Sequence, residues 1–255
     1  MFSCNIKTGD FQEVFTPKYL GKYVNPLNDW NRIGEITGVV PIIQATTNDT
    51  LLATFYSEPR NLYDWETFLG LYNWSKKTWV YERKPTVSPQ GALLSGKPAI
   101  ENDKVYAVIN QNVICHDLIT GNQIWSYKMN NSLFSSNYII KDGKLFILPE
   151  DGLLYCINAE TGTLRWKVEA ASTSSELRYL NGFIYFLGGS PNRLFAINAL
   201  TGVTSWKMPV PEAEKKEFGK TFYIGGIFAI QGENGQKGKI IACTSMFAYC
   251  YDAIQ

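Results

Sequence analysis

Three tryptophans, Trp125, Trp166 and Trp206, recur at separations of 41 and 40 residues, and each stands four positions after a Thr-Gly pair. The surrounding stretches read CHDLITGNQIW (Cys115 to Trp125), CINAETGTLRW (Cys156 to Trp166) and AINALTGVTSW (Ala196 to Trp206). A fixed period of about 40 residues means one supersecondary unit copied in tandem, each copy stacking on its neighbours to bury a continuous core. This periodicity decides the architecture and says far less about activity.

Within a copy the grammar is that of strands and tight turns. Residues 137–141 and 144–148 flank Asp142-Gly143, residues 153–157 follow a short loop at 149–152, and the segment carrying Trp166 follows Thr161-Gly162. Four short strands per copy, with turn residues between them, predict a meander of antiparallel hairpins. Asp117, Asn158 and Asn198 can bond their own backbone two residues on. Gly121, Gly162 and Gly202 can supply a positive φ that a larger residue would occupy under strain. Two residues before each Asx stands a small apolar side chain, Cys115, Cys156 or Ala196. The expectation is that the next unit's Trp lies over this slot. Burying an indole covers roughly 150–250 Å², on the order of 4–6 kcal/mol before entropy is subtracted.

The pattern small-x-Asx-x-x-Thr-Gly-x-x-x-Trp resembles the tryptophan-docking motif of pyrroloquinoline-quinone-type β-propeller repeats, over about Gly91 to Pro209. The resemblance implies an all-β propeller of four-stranded antiparallel blades. In that scheme Trp79, Trp125, Trp166 and Trp206 are docking residues, with turns at Gly121, Gly162 and Gly202. It further implies a non-catalytic member, similar to the propeller lipoprotein of the outer-membrane assembly machinery. Quinoprotein dehydrogenases share the repeat. They are eight-bladed with far longer chains, and hold their quinone between a Trp floor and a vicinal disulfide, with calcium on acidic ligands. No two cysteines of this chain are adjacent, so the resemblance implies the repeat and not the cofactor, and none is expected.

The flanks hold degraded copies. Ser3 to Gly9 keeps the turn, with Glu13 where Trp belongs, and Cys250-Tyr251-Asp252 keeps the slot and the Asx. Between Gly38 and Arg83 lies another unit, with strands at 39–44, 51–56, 68–73 and 78–82, Trp79 in the last and no Thr-Gly. Units thus end near Glu82, Lys128, Lys167 and Lys207, and a fifth starts at Phe222. Five blades over a single domain, 1–255, is the expected count, the ring closed by pairing of 10–15 with 247–252, since closure removes exposed strand edges. Six follows if Pro17 to Trp30 folds into an additional sheet.

At 255 residues the chain is long enough for one large core. Its formal net charge of +1 leaves no electrostatic footprint for nucleic acid or an anionic membrane. No run of 18 apolar residues is present, so no membrane span is expected. The first segment, MFSCNIKTGD, lacks a basic region followed by an apolar one, and no secretory signal is read from it. Five cysteines is an odd number. Cys115, Cys156 and Cys250 in the slot, and Cys243 in an apolar strand, read as buried free thiols. That points to a reducing compartment, most simply the cytoplasm. A periplasmic location with a leader removed is the alternative, because relatives of the family are mostly exported.

In a four-stranded meander the first–second and third–fourth turns share one side, and the second–third loops and inter-unit connections the other. The long segments 15–37, 57–67, 84–90 and 208–221 fall mostly on the latter side. Loops on a rigid scaffold carry function. Trp30, Arg60, Tyr63 and Trp65, together with Glu214 and Lys216 in the charged stretch 212–220, are the candidate binding residues, since Tyr, Trp and Arg anchor interfaces. Covered blade edges and a solvated charged loop are the plainer account of the same residues. Catalytic constellations are sparse. His116 is the sole histidine, which excludes His-rich metal sites, and alternation along a strand points it away from Cys115. Asp64 and Glu66 are close in sequence but read as locally hydrogen-bonded, and Glu150, Asp151 and Glu160 are turn residues.

The expected function is therefore non-catalytic binding of another protein through the long-loop side, as scaffold, adaptor or inhibitor, a toxin-neutralising immunity protein among them. The alternative is a carbohydrate-binding or glycoside-hydrolysing propeller that would stack a glycan on Trp30, Trp65 or Tyr72. A structural subunit of an envelope complex is a third reading.

Overall fold

The repeating turns predicted from the sequence are where the chain folds back. The computed structural model describes residues 2–4, 11–13, 22–24, 31–61, 64–86, 97–130, 137–172, 175–189, 192–211 and 223–255. Among them there is no helix. Strands β1 (Phe2–Cys4) and β2 (Phe11–Glu13) pair with each other, as do β3 (Lys22–Val24) and β4 (Asn31–Ile33). Then come four four-stranded antiparallel meanders. They are β5 (Glu35–Ile43), β6 (Thr50–Pro59), β7 (Trp65–Asn73) and β8 (Thr78–Pro85); β9 (Ala99–Glu101), β10 (Lys104–Ile109), β11 (Asn112–Asp117) and β12 (Gln123–Lys128); β13 (Tyr138–Lys141), β14 (Lys144–Ile147), β15 (Leu153–Asn158) and β16 (Leu164–Glu169); β17 (Arg178–Leu180), β18 (Phe183–Gly189), β19 (Asn192–Asn198) and β20 (Thr204–Met208). A three-stranded sheet follows: β21 (Tyr223–Ile230), β22 (Lys239–Thr244) and β23 (Ala248–Asp252). This is the β-propeller architecture.

The turn before each Trp is built the same way three times. The Asn158 side chain accepts from Glu160 N at 2.9 Å and Thr161 N at 3.2 Å, and Asn198 does so from Leu200 N and Thr201 N, both at 3.0 Å. Asp117 accepts from Thr120 N at 2.7 Å. Gly121, Gly162 and Gly202 follow with φ of 70°, 71° and 77°, the left-handed region that other L-residues enter only with strain. Immediately after each turn the ladder skips one residue, giving a β-bulge at Ile124, Arg165 and Ser205. The residue after each Asx also ties this turn to the first hairpin of its own sheet. Leu118, Ala159, Ala199 and Ala253 donate their N–H to the carbonyls of Asp103, Gly143, Gly182 and Gly238 at 2.8, 3.1, 2.8 and 2.8 Å.

The small slot has a different reason from the one expected. Cys115, Cys156 and Ala196 lie directly opposite the Trp of their own sheet. On the far side of each slot stands an aromatic of the second strand, Tyr106, Phe146 or Tyr185. Across the small residue the two rings meet, with centroids 6.0, 5.9 and 5.6 Å apart. A bulky middle residue would hold them apart.

The chain divides into two compact units, Met1–Lys128 and Met129–Gln255. In the first, Leu51, Ala53, Phe55, Leu69 and Leu71 of the β5–β8 sheet pack on Val105, Ala107, Ile109, Ile114 and Leu118 of the β9–β12 sheet. In the second, Phe146, Leu154 and Cys156 pack on Ile184, Phe186, Phe195 and Ile197, and Leu194 and Ala196 on Ile227, Ile240 and Ala242. Both faces of the middle strands are thus apolar, which accounts for their near-continuous hydrophobic runs.

Three expectations differ from the structure. Phe11–Glu13, proposed to close a ring on 247–252, pairs with Phe2–Cys4, and β23 pairs with β22 alone among the described residues. Cys250 is exposed and Cys243 half-buried, and among those residues no Trp-bearing strand lies beside β23 to cover Cys250. The segment 57–67, read as a loop, is mostly ladder. Pairing runs from Ser57↔Thr67 to Pro59↔Trp65, held at its buried base by the Ser57 and Thr67 hydroxyls 2.9 Å apart.

Candidate functional site

The β6–β7 hairpin is the longest in the molecule's described sheets, and its tip holds two of the residues singled out for binding. Arg60 caps β6: its N–H donates to Asp64 O at 2.8 Å. Its guanidinium forms an ion pair with Glu66, Nε lying 2.8 Å from Oε2, while the side chain stays 64% exposed. The Asn61 amide donates to Asp64, whose own N–H returns a bond to Asn61 Oδ1 at 2.9 Å. Trp65 opposes Pro59 at the base of the tip and is half-buried. Asp64 and Glu66 thus serve separate local partners and form no carboxylate pair. Trp30, Tyr63, Glu214 and Lys216 lie outside the described residues. Of the aromatics considered for sugar stacking, Tyr72 is buried, its ring 5.2 Å from Trp79 and steeply inclined to it, so it offers no open face to a sugar.

On the turn side, aromatic rings reach from one sheet to the next. A Cβ on Gly202 would lie 2.9 Å from Trp166 Cδ2, and the Trp166 indole N–H donates to Leu200 O at 3.1 Å. Only a glycine lets the indole approach this closely. In the first unit the same seat is taken by Tyr81, not Trp79. A Cβ on Gly121 would lie 2.8 Å from the Tyr81 ring and 2.6 Å from Lys84 Cγ, and the Tyr81 hydroxyl donates to Leu118 O at 2.8 Å. Trp79 lies instead on Gly70 of its own sheet, where a Cβ would meet its ring at 2.8 Å. One residue, Val80, separates Trp79 from Tyr81 on β8, and a register shift in the β7–β8 ladder sets which of them points across. Trp206 approaches Tyr251 of the three-stranded sheet, centroids 6.3 Å apart, and Trp125 is buried against Tyr106.

Three described groups able to do chemistry are buried or bonded locally. His116 is buried, with Nδ1 3.0 Å from Gly121 O, and burial holds the imidazole below its ordinary value. Cys156 is buried, which pushes its thiol up to about 11, far from the thiolate a nucleophile needs. Asp151 accepts from the Tyr155 hydroxyl and, at 3.0 Å, from Leu153 N. A cleft of about 330 Å³ lined by Lys84, Pro85, Thr86, Gly121, Asn122 and Gln123 offers an ammonium and two amides. The quinone of the dehydrogenase relatives does not fit the residues present. No two cysteines are adjacent, and among the described residues no group of three or more His, Cys, Asp or Glu side chains could hold its calcium. No helix among the described residues is long and apolar enough to cross a membrane.

Comparison with known proteins places this geometry. Sqt1 of Saccharomyces cerevisiae superposes with a TM-score of 0.65 at 10% identity, over 100% of this chain and 66% of its own. A europium-containing methanol dehydrogenase gives 0.59 at 11% identity, over 86% of this chain and 51% of its own. The BBS1N structure in complex with ARL6DN gives 0.50 at 12% identity, over 84% and 77%. The chain spans less than two thirds of the first two. At these identities the likeness is one of fold. No curated protein matches the chain. The family model described as outer membrane protein assembly factor BamB matches residues 73–235, well over half of the chain and all the repeats that carry the Thr-Gly-x-x-x-Trp pattern. The chain belongs to this BamB-like family of pyrroloquinoline-quinone-type repeat propellers.

Proposed function

We propose that the chain is a non-catalytic, protein-binding propeller that meets its partner through the tip of the β6–β7 hairpin. The observation that carries this reading is the hairpin itself. Its strands run for ten and nine residues, against six in each of the equivalent strands β10 and β11. The described residues next to its tip are tied by the Arg60–Glu66 and Asn61–Asp64 pairs. An arginine held in an ion pair on a hairpin that also carries a half-buried tryptophan suits an interface anchor. Membership of an assembly-factor family supports binding over catalysis, and a neighbour solved as a complex with another protein supports it at the level of fold. Trp30, Tyr63, Glu214 and Lys216 belong to the same proposed surface. The role is that of a scaffold, adaptor or inhibitor, an immunity protein included. Cys156, Cys243 and Cys250 are free thiols, which supports a reducing compartment such as the cytoplasm.

The test is affinity capture with the full chain, followed by binding measurements on the captured partner with Arg60→Ala and Trp65→Ala. The expected result is a loss of roughly 30-fold or more for at least one variant, the scale of an interface hot spot, with the melting temperature unchanged. Undiminished binding by both variants contradicts the assignment of this hairpin.

A further inference from the structure

One buried ring in the first unit is out of keeping with its place in the repeat. His116 follows the slot residue, where the sister repeats carry Ile157 and Ile197. Its side chain is buried, Nδ1 lies 3.0 Å from Gly121 O, and Nε2 has no hydrogen-bond partner. With the Nδ1 hydrogen donated to Gly121, Nε2 is a bare lone pair facing no donor. Protonation would place an N–H and a full charge at that atom with no acceptor to meet them, and such a group is costly to keep buried.

The surroundings offer little relief. Across the ladder, Val105 on β10 and Gln123 on β12 carry no charge. On the adjoining turn, Asp117 is spent on the Thr120 N–H and hydroxyl and faces Lys104 across the ladder. From β8 come the neutral Tyr81 phenol, bonded to Leu118 O, and the Lys84 ammonium, a like charge, whose stem covers Gly121. The imidazole and the Tyr81 ring hold the same turn: one bonds Gly121 through its carbonyl, the other rests on its Cα.

We propose that His116 is an acid-sensitive latch, whose protonation expels the ring from its buried seat, opens the 117–122 turn and unseats Tyr81. The β5–β8 sheet then loosens from the β9–β12 sheet. The direction follows from linkage. Burial lowers the folded-state value, so the contribution is fully present above the unfolded value of about 6.5. It is lost as pH falls below that value, because the opened chain takes up a proton that the closed one refuses.

The chain has a single histidine, so its imidazole gives one unambiguous set of NMR signals. The experiment titrates the full chain from about pH 7.5 to about pH 5, following those signals, the Tyr81 ring signals and the melting temperature, alongside His116→Ile. The expected result is an imidazole that titrates below 6.5, with Tyr81 moving to solvent-like shifts in the same window. The wild-type melting temperature should fall by at least about 2 °C more than that of H116I. An imidazole that titrates at or above 6.5, a Tyr81 ring indifferent to pH, or an equal acid response in H116I overturns the latch.

Discussion

Gly202 and Gly143 have φ of 77° and 66°, yet the two positions predict different costs. Around Gly143 there is open space, so Gly143→Ala should lose only the backbone term, about 1–2 kcal/mol. At Gly202 an added methyl lands 2.9 Å from the Trp166 indole, so Gly202→Ala should cost clearly more, by about 1–3 kcal/mol for the overpacking. Thermal or denaturant melts of the pair decide it, and equal losses would detach the indole from the turn. Trp166→Ala should itself cost about 3–5 kcal/mol, measured the same way. The glycines were legible in sequence from their place after Thr. What the slot does was not. Its purpose depends on Tyr106, Phe146 and Tyr185, which precede the slot by 9, 10 and 11 residues, and such variable spacing hides a row that only the ladder register aligns. His116 was equally opaque, because a histidine between two strand residues carries no mark of burial.

At the scale of elements, the alternation and turn residues placed β13 to β16 within a residue or two, since most of their boundaries are an Asx, a Gly or a Pro. The β6–β7 hairpin defeated the same reading. Pro59, Arg60 and Asn61 are turn-type residues, and the ladder that reaches them is sustained by the buried Ser57–Thr67 pair, two side chains that look like loop polarity in one dimension. The identity of the docking ring on β8 was hidden for a related reason: Trp79 matches the motif by residue type, while the register delivers Tyr81 to Gly121. This yields a prediction. Tyr81 is half-buried, so Tyr81→Ala should lose about 2–3 kcal/mol, less than a fully buried aromatic truncation, whereas Tyr81→Trp should lose less than about 1.5 kcal/mol, since an indole N–H makes the equivalent bond to the turn in the second unit. A Y81W protein as unstable as Y81A would place the seat elsewhere.

At the scale of the molecule, each unit draws its stability from contacts between its own consecutive sheets, as in a tandem array. Tyr81 and Trp166 lie in different compact units and touch different turns. Their alanine variants should therefore add within about 0.5 kcal/mol in a double mutant. Function sits on top of this frame and was the least legible layer, because a partner surface needs no special residue type and leaves no periodic trace. The frame itself rests on a ring of one sheet lying over a glycine of the next. The most direct test is a through-space NMR measurement between the Trp166 indole and the Gly202 α-protons. The account predicts strong cross-peaks, with those protons shifted upfield by the ring. Glycine protons at ordinary shifts with no cross-peak to Trp166 would contradict it.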